Sequence, residues 1–226
     1  MPRLYRRQFL RKAASASAAA WLAPKVLAAR LAAPQAGQRV LATDTVTLGR
    51  TGIQTSRLAM GTGTVGSGHH SNQTALGLGG LSRLLQNGYD NGLRFFDTAD
   101  SYGSHPHVAD ALKHVDRSKV TILTKSWARS GPEMRADLDR FRRELNTDHL
   151  DIVLMHCVTE GDWTSRYRSA MDALSEAKEK GIIRAHGCSC HSLEACALQR
   201  NQSGSRWTWC GSTRSDRTWM PIRRRL

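Results

Sequence analysis

The sequence predicts an α/β protein built around a parallel sheet of the (β/α)8-barrel type. Short, almost continuously apolar runs alternate with helical segments, a pattern typical of parallel strands that are covered on both faces. Four of these runs end at polar residues that follow one another at intervals of 28, 31 and 33 positions: Asp97, Lys125, His156 and Ser189. Each interval has the length of one βα unit, so the four side chains are expected to meet at one rim of the barrel.

A small hairpin is predicted before the sheet. Its strands, 45–48 and 53–55, flank a turn at 49–52 that reads GRTG. Five further strands are predicted within residues 58–63, 93–97, 120–125, 150–156 and 182–189. Because helical segments separate these five strands, the order βαβαβαβαβ predicts that they run parallel.

Four helical segments lie between the strands. Residues 133–146 carry an apolar stripe, and Ser130 with Glu133 offers a capping box at its start. Residues 167–178 carry a second stripe, and Gly181 follows as the expected stop. Two weaker segments are predicted around 81–85 and 108–115, the first of them weakened by the glycines at 77, 79 and 80.

The positive charge of the chain is concentrated at its two ends. The formal net charge of the 226 residues is +14, of which residues 1–30 supply +7 and residues 200–226 supply +6. Residues 31–199 therefore carry only +1. This distribution argues against a nucleic-acid-binding protein, whose basic residues should cover one face of the fold. The sequence also has no apolar run long enough to predict a stable membrane span.

The N-terminal segment has the order of an export signal. Arg6 and Arg7 lie in a charged region, a small-residue and mildly apolar stretch follows at 13–23, and residues 26–28 offer a cleavage site. This arrangement resembles a twin-arginine (Tat) signal peptide, which predicts that residues 1–32 are a signal read by the Tat export machinery. The expected location is then the bacterial periplasm or beyond it, after folding in the cytoplasm. The alternative is an ordinary basic amphipathic helix.

Residues 200–226 do not continue the pattern. They contain three Trp and seven Arg without helical or strand periodicity. One interpretation is a basic tail that binds nucleic acid or a membrane surface. The interpretation that we favour is coding sequence read out of frame after a nucleotide error.

The residues at the rim have complementary acid and base chemistry. A free tyrosine has a pKa near 10, so Tyr102 would be a poor proton donor at neutral pH unless a nearby ammonium stabilises its phenolate. Lys125 could supply that charge, and Asp97 would keep the buried lysine cationic. His156 could donate a hydrogen bond to a substrate oxygen. The set predicts a device that gives a proton to a carbonyl oxygen.

Five segments resemble the aldo-keto reductases, and the resemblance extends over residues 45–199. The segments are RFFDTADSYG at 94–103, ILTK at 122–125, DIVLMH at 151–156 and HGCSCH at 186–191, behind LGRTGIQTSRLAMG at 48–61. The resemblance implies a (β/α)8 barrel that binds NADPH in an extended form and passes a hydride to an aldehyde or ketone. It further implies that Tyr102 is the acid, that Lys125 and Asp97 tune it, and that His156 orients the substrate.

The resemblance also implies cofactor contacts. Ser189 and Cys190 stand where the family has a Ser-Asn pair that grips the nicotinamide amide, although a cysteine lacks the two-way hydrogen bonding of an asparagine. Gly61 and Thr62 are expected to approach the cofactor through their backbone. No metal is expected, because the Cys and His at 188–191 and the two His at 105–107 lack the usual spacing of a metal site.

The recognisable region ends after the fifth strand, whereas a barrel of this type has eight. We therefore expect an incomplete, C-terminally truncated barrel of about five βα units plus the hairpin. The predicted function is NADPH-dependent reduction of a small carbonyl substrate. Two alternatives stay open, a non-catalytic relic or regulatory subunit of the same fold and a protein that binds through its basic tail. Neither the substrate nor the oligomeric state follows from the sequence.

Overall fold

The computed structural model describes residues 39–201, with side chains as far as residue 197. The predicted signal at 1–32 and almost all of the irregular region at 200–226 lie outside the described residues. Every element named below belongs to one compact unit that begins at Leu41. No helix within the described range is long and apolar enough to cross a membrane.

The hairpin predicted at the start of the domain is confirmed. Strand β1 (Thr45–Thr47) pairs antiparallel with β2 (Gln54–Ser56), with Thr45 opposite Ser56. Glycines at 49 and 52 adopt left-handed backbone conformations in the turn between them, which residues with side chains rarely adopt.

The five predicted strands form one parallel sheet. They are β3 (Met60–Gly61), β4 (Phe95–Asp97), β5 (Thr121–Ser126), β6 (Leu150–Val158) and β7 (Ile183–Cys190). Each strand pairs with the next one along the chain, and all four pairings are parallel. Sequential parallel pairing is the arrangement of consecutive units in a (β/α)8 barrel, and the predicted fold class is confirmed for the described part of the chain.

Helices follow the strands as predicted. The described residues contain α1 (Gly77–Asp90), α2 (His105–Leu112), α3 (Gly131–Leu145), the short α4 (Trp163–Arg166), α5 (Arg168–Glu179) and α6 (Leu193–Asn201). The predicted capping box is present at the start of α3, where Ser130 accepts from the backbone of Glu133 and Glu133 accepts from the backbone of Ser130.

Helix α1 is longer than its glycines suggest. It extends over 14 residues, with Leu81 and Leu85 fully buried beneath it. Gly88 lies directly against Met60 of β3, and a Cβ atom at this position would collide with the methionine sulfur. The glycine therefore permits close contact between helix and strand, and this packing compensates for its poor helix propensity.

The sheet separates two apolar clusters. The larger cluster lies on the face covered by the helices and includes Phe96, Ile122 and Met155. The smaller one lies on the opposite, inner face and consists of Ile53, Phe95, Leu123, Ile152, Leu154 and Ala185. Because side chains alternate along a strand, the residues two positions beyond inner-face residues also point inward. This alternation decides which side chains reach the rim.

Candidate active site

The carboxyl ends of four strands deliver polar side chains to the inner face. Asp97 follows Phe95 on β4, and Lys125 follows Leu123 on β5. His156 follows Leu154 on β6 in the same way. On β7, Ser189 lies four positions beyond the inner-face residue Ala185 and shares its face. The predicted convergence of these residues at one rim is therefore present.

Lys125 and Asp97 form the central ion pair of the rim. The Lys125 ammonium contacts the Asp97 carboxylate directly and also donates to the carbonyl oxygen of Thr98 at 2.9 Å. The whole lysine residue is only 7% exposed. A buried ammonium requires a counter-charge to offset the loss of its hydration, and the Asp97 carboxylate supplies it.

Tyr102 lies above this pair, at the end of a 3-10 turn formed by residues 100–102 after β4. The Lys125 nitrogen lies 5.0 Å from the centroid of the tyrosine ring, and the His156 ring meets the tyrosine ring edge-on with centroids 5.7 Å apart. Within residues 39–201, no hydrogen bond joins the Tyr102 hydroxyl to Lys125 or His156. The structure thus brings the four predicted catalytic residues together with the ammonium over the phenol ring.

The acidity of Tyr102 differs from the sequence-based prediction. Burial, followed by the negative charge of Asp97 and the nearby Cys157 thiol, raises the pKa of Tyr102 to about 12. The prediction that Lys125 lowers this pKa is wrong for this arrangement, because burial and then the negative charge of Asp97 dominate the shift. Tyr102 consequently keeps its proton throughout the physiological range.

Two glycines lie directly against the Tyr102 ring. A Cβ atom at Gly63 or at Gly66 would collide with carbon atoms of that ring. The loop that follows β3 therefore contacts the phenol through bare backbone, with no side chain between. Sequence reasoning missed these two residues, although the density of glycine in GTGTVGSG at 61–68 was a signal that a backbone comes close to something here.

His156 is held as a neutral imidazole. Burial, together with the positive charge of Lys125 and the neighbouring His191 and Arg129, lowers the pKa of His156 to about 3. Its Nδ1 atom lies 3.4 Å from the Ser101 hydroxyl, and Arg129 donates to its backbone carbonyl oxygen at 2.6 Å. A neutral imidazole in this place can donate one hydrogen bond without adding charge to the site.

Thr62 does not reach the site as predicted. It is fully buried, and its backbone and side chain both donate to the carbonyl oxygen of Asp97 at 3.0 Å. Its own carbonyl oxygen accepts from the Ser71 hydroxyl. All of its polar groups are therefore occupied within the protein, and its role is to fix the end of β3 to the end of β4. Gly61, at the end of β3, is exposed, and its predicted backbone contact with a cofactor stays a prediction.

The predicted pair Ser189 and Cys190 is split between the two faces of the sheet. The Ser189 hydroxyl accepts from the backbone N–H of Cys157, a residue of the site. Cys190 is fully buried in the apolar cluster beneath the helices, where its sulfur lies 3.5 Å from that of Cys188. Consecutive strand residues point to opposite faces, so the prediction that both contact a cofactor is wrong for Cys190.

A cleft of about 520 Å³ opens over these residues. Tyr102 and His156 line it together with the loop at 63–69, and sequence reasoning missed three further lining residues: Trp127, Cys157 and His191. Trp127 is half exposed, and its ring centroid lies 5.2 Å from that of His156. Its position two residues after Lys125 was a usable signal, because residues just past a strand end build the rim.

One cluster of possible metal ligands lies beside the cleft. Asp100, His105 and Glu144 bring ligand atoms within 4.8 Å of one another. The Arg140 guanidinium contacts both carboxylates, at 2.8 Å and 2.9 Å. The negative charge that would attract a metal cation is therefore already balanced by an arginine.

Comparisons with known proteins match this chain to one family. A model of the aldo/keto reductase family matches residues 57–204. The methylglyoxal reductase DkgB of Salmonella typhi is 34% identical over 102 residues, which are 43% of this chain and 38% of the relative. The uncharacterized oxidoreductase YrpG of Bacillus subtilis is 30% identical over 158 residues, which are 60% of this chain and 44% of the relative. The chain thus spans less than half the length of these two curated relatives.

Solved structures share the fold. An aldo-keto reductase from Bombyx mori in complex with NADP superimposes with a TM-score of 0.60 at 20% identity, over 76% of this chain and 58% of its own. An aldo/keto reductase from Brucella melitensis superimposes with a TM-score of 0.57 at 22% identity, over 74% of this chain and 61% of its own. At these identities the likeness supports the fold alone.

Adding a methyl group at Gly63 should disturb the tyrosine specifically. We expect Gly63→Ala to displace the Tyr102 ring and to lower the free energy of unfolding by about 1–3 kcal/mol, because overpacked sites cannot relax freely. Urea unfolding and the tyrosine ring signals in NMR spectra measure both effects. Gly161→Ala is the control, because a Cβ atom there meets only ordinary contacts. Unchanged tyrosine signals in Gly63→Ala would contradict the contact.

The lowered pKa of His156 makes stability depend on pH. Between about pH 6.5 and about pH 3 the unfolded chain binds a proton at this position and the folded chain does not. We therefore expect the free energy of unfolding to fall as the pH falls through this window, by at most about 1.4 kcal/mol per pH unit from this group. Urea titrations at several pH values measure the slope. His156→Gln should flatten it, and an equally steep slope in the variant would refute the assignment.

Proposed function

Because the chain belongs to the aldo/keto reductase family, we propose that it reduces an aldehyde or a ketone to the corresponding alcohol with a nicotinamide cofactor, NADPH. The observation that carries this proposal is the arrangement of Tyr102 directly above the Lys125–Asp97 ion pair, at the floor of a cleft that also contains His156. Such an arrangement can deliver one proton to an oxygen atom in the cleft.

The residues of the site have distinct tasks in this reaction. Tyr102 keeps its proton at neutral pH and is the only phenol that lines the cleft among the described residues. As negative charge develops on the substrate oxygen, the Lys125 ammonium beneath the ring stabilises the phenolate that Tyr102 becomes. Asp97 holds the ammonium in place. The neutral His156 orients the carbonyl oxygen by a hydrogen bond.

The described residues fit the nicotinamide end of a cofactor. Ser189 accepts one hydrogen bond from Cys157, which leaves its own hydroxyl hydrogen available for an amide oxygen. Gly61 offers exposed backbone at the end of β3, with open space where a side chain would be. When bound, NADPH supplies the hydride that the carbonyl carbon receives. One relative is named an NADH-specific methylglyoxal reductase, so NADH is tested beside NADPH.

Removing the Tyr102 hydroxyl separates catalysis from binding. We expect Tyr102→Phe to lower kcat for a small aldehyde such as methylglyoxal by about 10²-fold or more, because the general acid is lost. The dissociation constants of NADPH and NADH, measured by quenching of cofactor fluorescence, should stay within about twofold.

Tyr89→Phe is the matched control. Tyr89 lies at the end of α1 against Arg94 and does not line the cleft. We expect its variant to retain the activity of the parent. A Tyr102→Phe variant as active as the parent would reject the role of Tyr102. Failure of the parent to bind either cofactor would favour the non-catalytic alternative.

We also propose that residues 1–32 direct the protein through the Tat machinery to the bacterial periplasm. The support is the order of Arg6, Arg7 and the small-residue stretch that follows. Replacing both arginines by lysine should retain the protein in the cytoplasm, as measured by cell fractionation. Replacing Lys12 and Lys25 by arginine preserves the twin arginines and should leave export intact. Export of the twin-lysine variant equal to that of the parent would contradict the proposal.

A further inference from the structure

A network of charged side chains connects α3 to the turn that carries Tyr102. Arg140 donates from its two terminal nitrogens to the two carboxylate oxygens of Asp100, at 2.8 Å and 2.9 Å. Asp100 is the first residue of the 3-10 turn that ends at Tyr102. A two-pronged contact of this kind fixes orientation as well as distance, because both members are planar groups.

The same network reaches the strand that carries Lys125. Arg140 also contacts Asp137, whose other oxygen accepts from the Ser126 hydroxyl at 2.5 Å. It contacts Glu144 as well. This path links Ser126, which follows Lys125 in the chain, to Asp100, which lies two residues before Tyr102. The Arg140 guanidinium is thus connected to the chain segments that carry Lys125 and Tyr102, although it contacts neither of these two side chains.

A second path runs through His105. Its Nδ1 atom lies 2.6 Å from Glu144, and its Nε2 atom lies 2.8 Å from the hydroxyl of Thr124, the residue before Lys125. Glu144 is held ionised, since the hydrogen bond with His105 and then the contact with Arg140 lower the pKa of Glu144 to about 2. The residues on both sides of Lys125 are therefore connected to Arg140.

The loop after β3 holds the opposite side of the turn mainly through its backbone. His69 donates its N–H to the carbonyl oxygen of Ser101 at 2.9 Å. Gly103 has a left-handed conformation, and a Cβ atom there would collide with the carbonyl group of His69. The loop thus limits how far the turn can move toward the cleft, whereas Arg140 holds it from the side of the helices.

We propose that Arg140 is a positioning residue, which sets the height and orientation of the Tyr102 phenol over the Lys125 ammonium by gripping Asp100 with its planar guanidinium. This role rests on the proposed function of Tyr102 as the acid. Because an error of about 1 Å in the placement of a catalytic group can cost about 10²-fold in rate, the grip matters for the reaction beyond its contribution to stability. A lysine at position 140 would keep the positive charge but could not form the two parallel hydrogen bonds of a planar guanidinium.

The test uses Arg140→Lys in the full chain. We expect kcat for the aldehyde to fall by about tenfold or more, with the dissociation constant of NADPH changed by less than about twofold. NMR spectra of protein labelled with carbon-13 in its tyrosine rings supply a readout independent of activity. The chain has four tyrosines, so Tyr102→Phe identifies the relevant signal. We expect that signal to shift in Arg140→Lys while the other three stay in place.

Arg135→Lys is the matched control on the same helix. Arg135 contacts Glu176 with two nitrogens, at 3.2 Å and 2.9 Å, and within the described residues this ion pair does not lead to the Tyr102 turn. We expect both the rate and the Tyr102 signal of this variant to match the parent. Asp100→Asn weakens the same contact from the side of the carboxylate. We expect the double variant with Arg140→Lys to show a loss of rate and a signal shift close to those of either single variant, because both changes disrupt the Arg140–Asp100 contact.

The outcomes separate this inference from the proposed function. A shifted Tyr102 signal in Arg140→Lys, absent in Arg135→Lys, supports the positioning role even if Tyr102→Phe shows that the assigned reaction is wrong. An unshifted signal in a folded Arg140→Lys protein overturns the role, as does an equal shift in Arg135→Lys. If Arg140→Lys fails to fold, Asp100→Asn decides the question by the same signal.

Discussion

The ion pair between Lys125 and Asp97 is the interaction on which the rest of the site depends. A lysine this deeply buried requires a counter-charge to offset the loss of its hydration. The two members lie on neighbouring strands, whose parallel pairing places Asp97 opposite Leu123, two residues before Lys125. The ion pair can form only in the observed register of β4 and β5. That register is specified by the alternating apolar residues, which must face the two apolar clusters. The packing of the sheet and the electrostatics of the rim are therefore one constraint.

Around this ion pair, several rigid contacts position a single side chain, the phenol of Tyr102. The loop after β3 contacts the Tyr102 ring through glycines, Thr62 joins the ends of β3 and β4, and Arg140 grips the turn from the helical side. Each contact comes from a different element of the chain. Such preorganisation lets a group with an unfavourable pKa act as an acid, because little of the site has to rearrange as charge develops.

The sequence predicted the fold and the meeting of three strand-end residues at one rim, because both depend on local patterns. Strand ends at regular spacing and apolar alternation were sufficient to bring Asp97, Lys125 and His156 to one rim. What it could not predict depended on packing. The raised pKa of Tyr102 results mainly from burial by residues that are distant in the sequence. The glycines at 63 and 66 contact the Tyr102 ring, but nothing in the sequence identifies that ring as their partner. The resemblance assigned Cys190 the same contact as Ser189, whereas consecutive residues of this strand face opposite sides of the sheet.

The two glycines against Tyr102 also constrain how such a cleft can diversify. Any larger residue at 63 or 66 would collide with the phenol ring, so these two positions cannot acquire side chains that select among ligands. Other residues that line the cleft, such as Trp127 and His191, present exposed side chains. Divergence in ligand preference, whether in nature or in a designed library, is therefore expected at such positions rather than at the two glycines.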